Sequence, residues 1–111
     1  MKNILFICSA NKDRSRTAED FFTEKFPKYQ FDSAGTNQKI CNQLGTTFIN
    51  QEQLEWADIV YVMEQKHFQA IKSIFGNTNI SKIEVLDIKD VYEYGATELK
   101  LMLEAKLKNR F

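Results

Sequence analysis

A chain of 111 residues fits one compact domain, 1–111, and leaves little room for a second. Its hydrophobic share of 43%, with nine Phe and four Tyr, supplies one core and excludes a disordered chain. Fifteen basic residues balance fifteen acidic ones, so no global field selects nucleic acid or an anionic membrane as partner, and any anion site must be built locally.

Two cysteines in a chain of this length do not make a disulfide framework. No apolar run approaches the roughly 20 residues of a membrane span. Met1 to Ala10 superficially resembles a leader. Its apolar part is short, contains Cys8 and Ser9, and runs straight into Lys12-Asp13-Arg14 without a small-residue cleavage site, so it reads as mature structure. The expectation is a soluble, cytoplasmic protein with no membrane or nucleic-acid partner.

Ile4-Leu5-Phe6-Ile7 is a short continuous apolar run ended by polar residues, the pattern of a strand buried on both faces. From Ser15 the period changes: Ala18, Phe21, Phe22 and Phe26 recur at helical spacing until Pro27. Tyr29 to Asp32 reads as a second strand ending at Ser33-Ala34-Gly35-Thr36. Residues 37–50 read as a loop or weak helix, and a helical turn at Gln51 to Trp56 leads into a third strand, Ile59 to Met63. A helix from Gln65 to Phe75 stops at Gly76-Asn77. Ile83 to Leu86 is a fourth strand, Asp87 to Gly95 a loop, and Ala96 to Leu107 a final amphipathic helix. Strands alternating with helices predict an α/β fold, a parallel sheet covered on both faces. Ligands of such sheets bind outside the carboxyl ends of the strands, which singles out Cys8, Ser33, Glu64 and Asp87 to Asp90.

Between the first strand and the first helix lies Cys8-Ser9-Ala10-Asn11-Lys12-Asp13-Arg14-Ser15, a C-x5-R-S pattern. Backbone amides gathered at a helix N-terminus favour a thiolate, the competent nucleophile. A tight loop of this length, Ser9 through Ser15, wraps its amides around a tetrahedral anion. Arg14 offers a planar fork to two phosphate oxygens. Ser15 can donate to the sulfur and ease its departure. The pattern alone fixes three positions; its place after a strand and before a helix is what strengthens it.

On these residues the chain resembles the low-molecular-weight protein tyrosine phosphatase family, and more closely a compact group within that superfamily. The matches are Ile7 to Ser15, Thr17-Ala18-Glu19, Ser33-Ala34-Gly35, Trp56-Ala57-Asp58-Ile59, Val62-Met63-Glu64 and Asp90-Val91-Tyr92-Glu93-Tyr94, in the family's order and over nearly the whole chain. The resemblance implies a three-layer α/β/α domain with a four-stranded parallel sheet in the order 2-1-3-4, no cofactor, and a phosphorylated protein or small aryl phosphate as substrate. It implies that Cys8 forms a cysteinyl-phosphate while an aspartate protonates the leaving oxygen and then activates water. In the family the acid lies in a loop after the fourth strand and is usually followed by proline and an aromatic residue; Asp90, with Tyr92 two positions on, matches it best although Val91 replaces the proline, and Asp87 is the alternative. Asn11 and Ser33 match a polar pair that supports the loop; on the residues alone, Ser33-Ala34-Gly35 reads equally as an ordinary turn.

The chain departs from the family in three places. Asp13 stands where a second loop cysteine is typical, which removes a redox partner of Cys8 and sets a carboxylate near the anion. Arg16 stands where proline commonly starts the helix. The chain is also shorter after Gly35, in a region that helps wall the phosphotyrosine ring. Cys41 reads as an isolated loop thiol, His67 as a surface or partly buried polar residue, Trp56 as core, and Glu64 as a solvated helix cap. No Cys/His cluster has metal-ligand spacing. Two alternatives to phosphomonoester hydrolysis stand: a non-catalytic phosphate-binding or regulatory module, favoured by Asp13 and the missing Asp-Pro pair, and arsenate reduction, for which Cys41 is the one further thiol.

Overall fold

In the computed structural model, which describes residues 2–111, the apolar run near the N-terminus is β1 (Asn3–Cys8). It lies inside the sheet, with parallel neighbours on both sides. β2 (Gln30–Gly35) pairs with it from Asn3↔Gln30 to Cys8↔Gly35, and β3 (Ile59–Val62) from Ile4↔Ile59 to Ile7↔Val62. β4 (Ile83–Val85) adds outside β3, giving the order β2-β1-β3-β4 expected from the resemblance.

Side-chain alternation along β1 explains its unbroken hydrophobicity. Ile4, Phe6 and Cys8 face one layer with Ala18 and Phe22 of α1 (Arg14–Lys25) and Leu99 and Leu103 of α5 (Thr97–Lys106). Leu5 and Ile7 face the other layer with Leu54 of α3 (Gln51–Trp56) and Ile71 of α4 (Gln65–Phe75), and the half-buried Trp56 packs against that layer. Two apolar faces on a four-stranded sheet thus become the three-layer domain. No helix among the described residues is long and apolar enough to cross a membrane.

Two local readings left open by the sequence are resolved. Ser33-Ala34-Gly35 is strand, not a turn: β2 continues to Gly35 because β1 offers it partners that far. Within 37–50 lies a defined helix, α2 (Gln38–Leu44), capped by Asn37, whose Oδ1 accepts from the Ile40 amide at 3.1 Å, and ended by Gly45 at φ 72°. Both are ordinary helix-end signals, on a segment too polar for periodicity to reveal. Beyond α2, Gly35 donates to the Thr47 carbonyl and accepts from the Ile49 amide, at 2.9 and 3.0 Å. This bridge brings residues 46–49 against the end of β2.

Gly35 is required for space. A Cβ there would lie 2.5 Å from the Ser9 carbonyl oxygen, 2.7 Å from Cys41 Sγ and 3.0 Å from the Asn11 nitrogen. The end of β2 therefore presses directly on the loop that follows β1.

Candidate active site

The loop after Cys8 is held from outside by its carbonyls. Thr36 and Asn37 amides donate to the Cys8 and Ser9 oxygens, each at 3.0 Å, and the Thr46 hydroxyl donates to the Ala10 oxygen at 2.6 Å. Among the described residues, no backbone N–H from Ser9 to Ser15 finds an acceptor. A loop whose leading carbonyls, Cys8 to Ala10, are engaged outward presents its amides to whatever it encircles. Asn11 takes the left-handed conformation, φ 52°, that turns the chain at mid-loop, a geometry asparagine tolerates better than most residues.

A chain of buried hydroxyls and amides lies beneath the loop. Asn11 Nδ2 donates to Ser15 Oγ and to Ser33 Oγ, both at 2.9 Å, while its Oδ1 accepts from the Thr47 amide at 3.2 Å. Ser33, already an acceptor, donates to Glu19 at 2.5 Å. Ser15, likewise an acceptor, lies with its Oγ 3.0 Å from Cys8 Sγ, within reach to donate to a thiolate there. The Asn11–Ser33 pair thus lies where the resemblance put it. Glu19 is an addition: burial pushes its carboxyl above the ordinary value, against the opposing Ser33 hydrogen bond. The available signal was helical spacing, since Glu19 stands four residues after Ser15 on α1.

Arg14 is 1% exposed although it carries a full charge. Its Nη1 donates to Glu64 Oε2 at 2.6 Å and to the Ile88 carbonyl at 2.7 Å. Nε and Nη2, the edge suited to a bidentate oxyanion, make no hydrogen bond to a described residue, and Asp90 Oδ1 lies 3.7 Å from Nε. Glu64 is therefore more than a solvated cap. Partial burial would raise its carboxyl, but the hydrogen bond and charge of Arg14 outweigh that and hold it below its ordinary value.

Asp90 and Asp87 separate in the structure. Leu86 and Ile88 amides continue the ladder onto Val62 and Met63 carbonyls at 2.8 and 2.7 Å, and Asp87 between them is left-handed at φ 60°. That kink precedes Ile88, whose carbonyl meets Arg14. Asp87 itself is exposed and makes no ion pair or hydrogen bond with the described residues, whereas Asp90 reaches the guanidinium.

Two further readings are corrected. His67 is buried at 1% exposure, not a surface residue, and its Nε2 lies 2.9 Å from Ser9 Oγ. Its Nδ1 accepts from the Glu64 amide at 3.0 Å, so a neutral ring carries its proton on Nε2 and donates to Ser9. Cys41 is fully buried on α2 with Sγ 3.8 Å from the Ser9 carbonyl, packed against the loop and not isolated; both cysteines are free. Asp13 accepts the Tyr94 amide at 3.0 Å on Oδ1. Lys12 is exposed. No group of three or more His, Cys, Asp or Glu among the described residues could hold a metal ion.

Burial first, then the Arg14 charge, pushes His67 from 6.5 down to about 4, with Lys66 acting the same way and Glu64 and Asp90 opposing. A folded value below the unfolded one means stability present above pH 6.5 and lost as pH falls toward 4. The full shift corresponds to roughly 3 kcal/mol. Urea denaturation from neutral to mildly acidic pH is expected to show this loss, and the difference between wild type and His67→Gln isolates the imidazole. Parallel pH profiles for the two proteins would refute it.

No protein-family model matches the chain. It is 34% identical, over a 92-residue alignment, to the low molecular weight protein-tyrosine-phosphatase PtpB of Staphylococcus aureus, covering 68% of this chain and 66% of that protein, just short of two thirds of its length. Among solved structures, a low molecular weight phosphotyrosine phosphatase from Vibrio cholerae superposes with a TM-score of 0.75 at 18% identity, over 96% of this chain and 92% of that one. The YwlE arginine phosphatase from Geobacillus stearothermophilus gives 0.69 at 20% identity, over 96% and 90%. The structural likenesses establish the fold; with the sequence match they place this chain in the low-molecular-weight protein tyrosine phosphatase superfamily, to which it belongs.

Proposed function

We propose that this protein is a cysteine-dependent phosphomonoester hydrolase acting on phosphotyrosine or a similar aryl phosphate. The observation that carries the reading is the setting of Cys8: a sulfur 3.0 Å from the Ser15 hydroxyl, at the foot of a loop whose amides have no acceptor among the described residues. In the first step the Cys8 thiolate attacks phosphorus as the bond to the leaving oxygen breaks, and Asp90 gives its proton to that oxygen. In the second, water attacks phosphorus, Asp90 takes a proton from it, and the S–P bond breaks to release inorganic phosphate. Ser15 donates to the departing sulfur. The loop amides and the free edge of Arg14 hold the equatorial oxygens in both steps.

The test is hydrolysis of p-nitrophenyl phosphate at mildly acidic pH, followed by a phosphotyrosine peptide and a phosphoarginine peptide in competition. Turnover with a rapid phenol burst supports the two-step reading. Failure to turn over any aryl phosphate while vanadate still binds replaces it with a non-catalytic phosphate-binding module. Preference for phosphoarginine would correct the substrate class and keep the chemistry. Arsenate reduction needs further thiols to resolve a Cys8 adduct, and the chain has two cysteines in all, the second buried against the loop.

A further inference from the structure

We propose that Asp13 is a positioning residue that fastens the acid-bearing segment to the phosphate loop; the assignment rests on the hydrolase reading, with Asp90 as the acid. Asp13 occupies the N-cap of α1, where aspartate ordinarily accepts from the first-turn amides, yet it makes no such bond. A cap bond there would also compete with an anion for those amides. Its Oδ1 instead accepts the amide of Tyr94, 81 residues away.

The attachment has three parts in a row. Asp13 takes the Tyr94 amide, Thr17 Oγ1 accepts the Gly95 amide at 2.9 Å, and the Tyr94 hydroxyl donates to the Asp20 carboxylate. Asp13, Thr17 and Asp20 follow one another at helical spacing, so one stripe of α1 receives the end of the segment. The other end is held at Ile88, whose amide meets Met63 and whose carbonyl meets Arg14. Asp90 lies between these two anchors, on a stretch without regular structure and with its side chain 60% exposed. Its one polar contact among the described residues is the 3.7 Å ion pair with Arg14 Nε, on the edge an anion would take, so with an anion bound its placement depends on the anchors. A cysteine at position 13, as is typical of the family, offers only a weak sulfur acceptor. The departure that removes a redox partner thereby supplies a tether. It also engages the carboxylate that, on sequence, threatened to repel a bound dianion.

The test compares D13A, D13C and D13N with wild type by amide hydrogen exchange at Tyr94 and Gly95, by vanadate affinity, and by turnover of aryl phosphates of graded leaving-group basicity. D13A and D13C are expected to expose the Tyr94 amide to exchange. Each should lose about tenfold or more on phenyl phosphate and much less on p-nitrophenyl phosphate, because a displaced acid matters most for a basic leaving group. Vanadate affinity should stay within about threefold, since the anion cradle is not the part removed. D13N keeps an acceptor oxygen and should recover most of the protection and of the leaving-group profile. Unchanged exchange at Tyr94 in D13A overturns the proposal, and so does an equal loss on all leaving groups with weakened vanadate. The exchange measurement needs no turnover: an inactive wild type would refute the hydrolase reading, while exchange alone would still decide whether the tether exists.

Discussion

Cys8→Ser is expected to lower turnover by about 10⁴-fold or more, to background, while phosphate and vanadate still bind. The asymmetry follows from how the site divides its work. In the proposed reaction, binding rests on the amides from Ser9 to Ser15 and on the free edge of Arg14, none of which the substitution touches. Chemistry rests on a sulfur that is ionisable and has a low-barrier path to departure; a serine hydroxyl has neither property. The fold is expected to tolerate the change, because a serine oxygen can still meet Ser15 Oγ, now 3.0 Å from the sulfur. Calorimetric titration with phosphate beside a turnover assay checks both halves. Residual hydrolysis comparable to wild type would place the nucleophile elsewhere and end the cysteinyl-phosphate scheme. Loss of binding together with turnover would point to a collapsed loop.

The parts of this site that sequence revealed are those whose chemistry is local. Cys8, the loop and Arg14 are contiguous, and the switch from an apolar strand to a helical period places them at the carboxyl end of a strand without any tertiary information. The strand order came from the resemblance, because alternation of elements establishes a parallel sheet but not which strand neighbours which. What stayed hidden depends on contacts between distant segments. His67 and Ser9 are 58 residues apart, and Glu64 and Arg14 are 50 apart. Each partner alone has a bland explanation as a helix-end polar residue. The one local hint was their i, i+3 spacing at a helix start, the spacing of reciprocal capping. His67 does close back on the Glu64 amide, at 3.0 Å, and that contact aims its other nitrogen at the loop.

Asp13 and Cys41 illustrate a different limit. Aspartate before a helix reads as a cap, and only the position of Tyr94 shows that its carboxylate is used elsewhere. Cys41 lies in a polar stretch that gives no apolar period, yet the whole α2 segment is folded over the loop by the backbone amides of Thr36 and Asn37 and the hydroxyl of Thr46. These donors hold the carbonyls of Cys8, Ser9 and Ala10.

Arg14→Lys is expected to lower kcat/KM by about 10³-fold even though the charge is kept, since a point charge cannot reproduce a planar fork. In the structure one nitrogen of the guanidinium satisfies Glu64 and the Ile88 carbonyl while the opposite edge stays available. An ammonium must choose: it can remain with Glu64 and leave the anion, or turn to the anion and abandon a partly buried carboxylate. Arg14→Ala adds a stability cost, because Glu64, 27% exposed, then keeps only the looser ion pair with Lys66, whose Nζ lies 3.9 Å from the same oxygen. Breaking a buried pair costs about 3–5 kcal/mol, and the residual exposure of Glu64 places this case at or below the lower end. Adding Glu64→Gln to Arg14→Ala removes the stranded charge, so stability should partly return while kcat/KM does not. Chemical denaturation and steady-state kinetics on the two single variants and the double variant separate the structural role of the ion pair from the catalytic role of the free edge. If Arg14→Lys keeps kcat/KM within about threefold of wild type, the fork geometry is not what the transition state uses, and stabilisation of the phosphoryl oxygens must come from the loop amides alone.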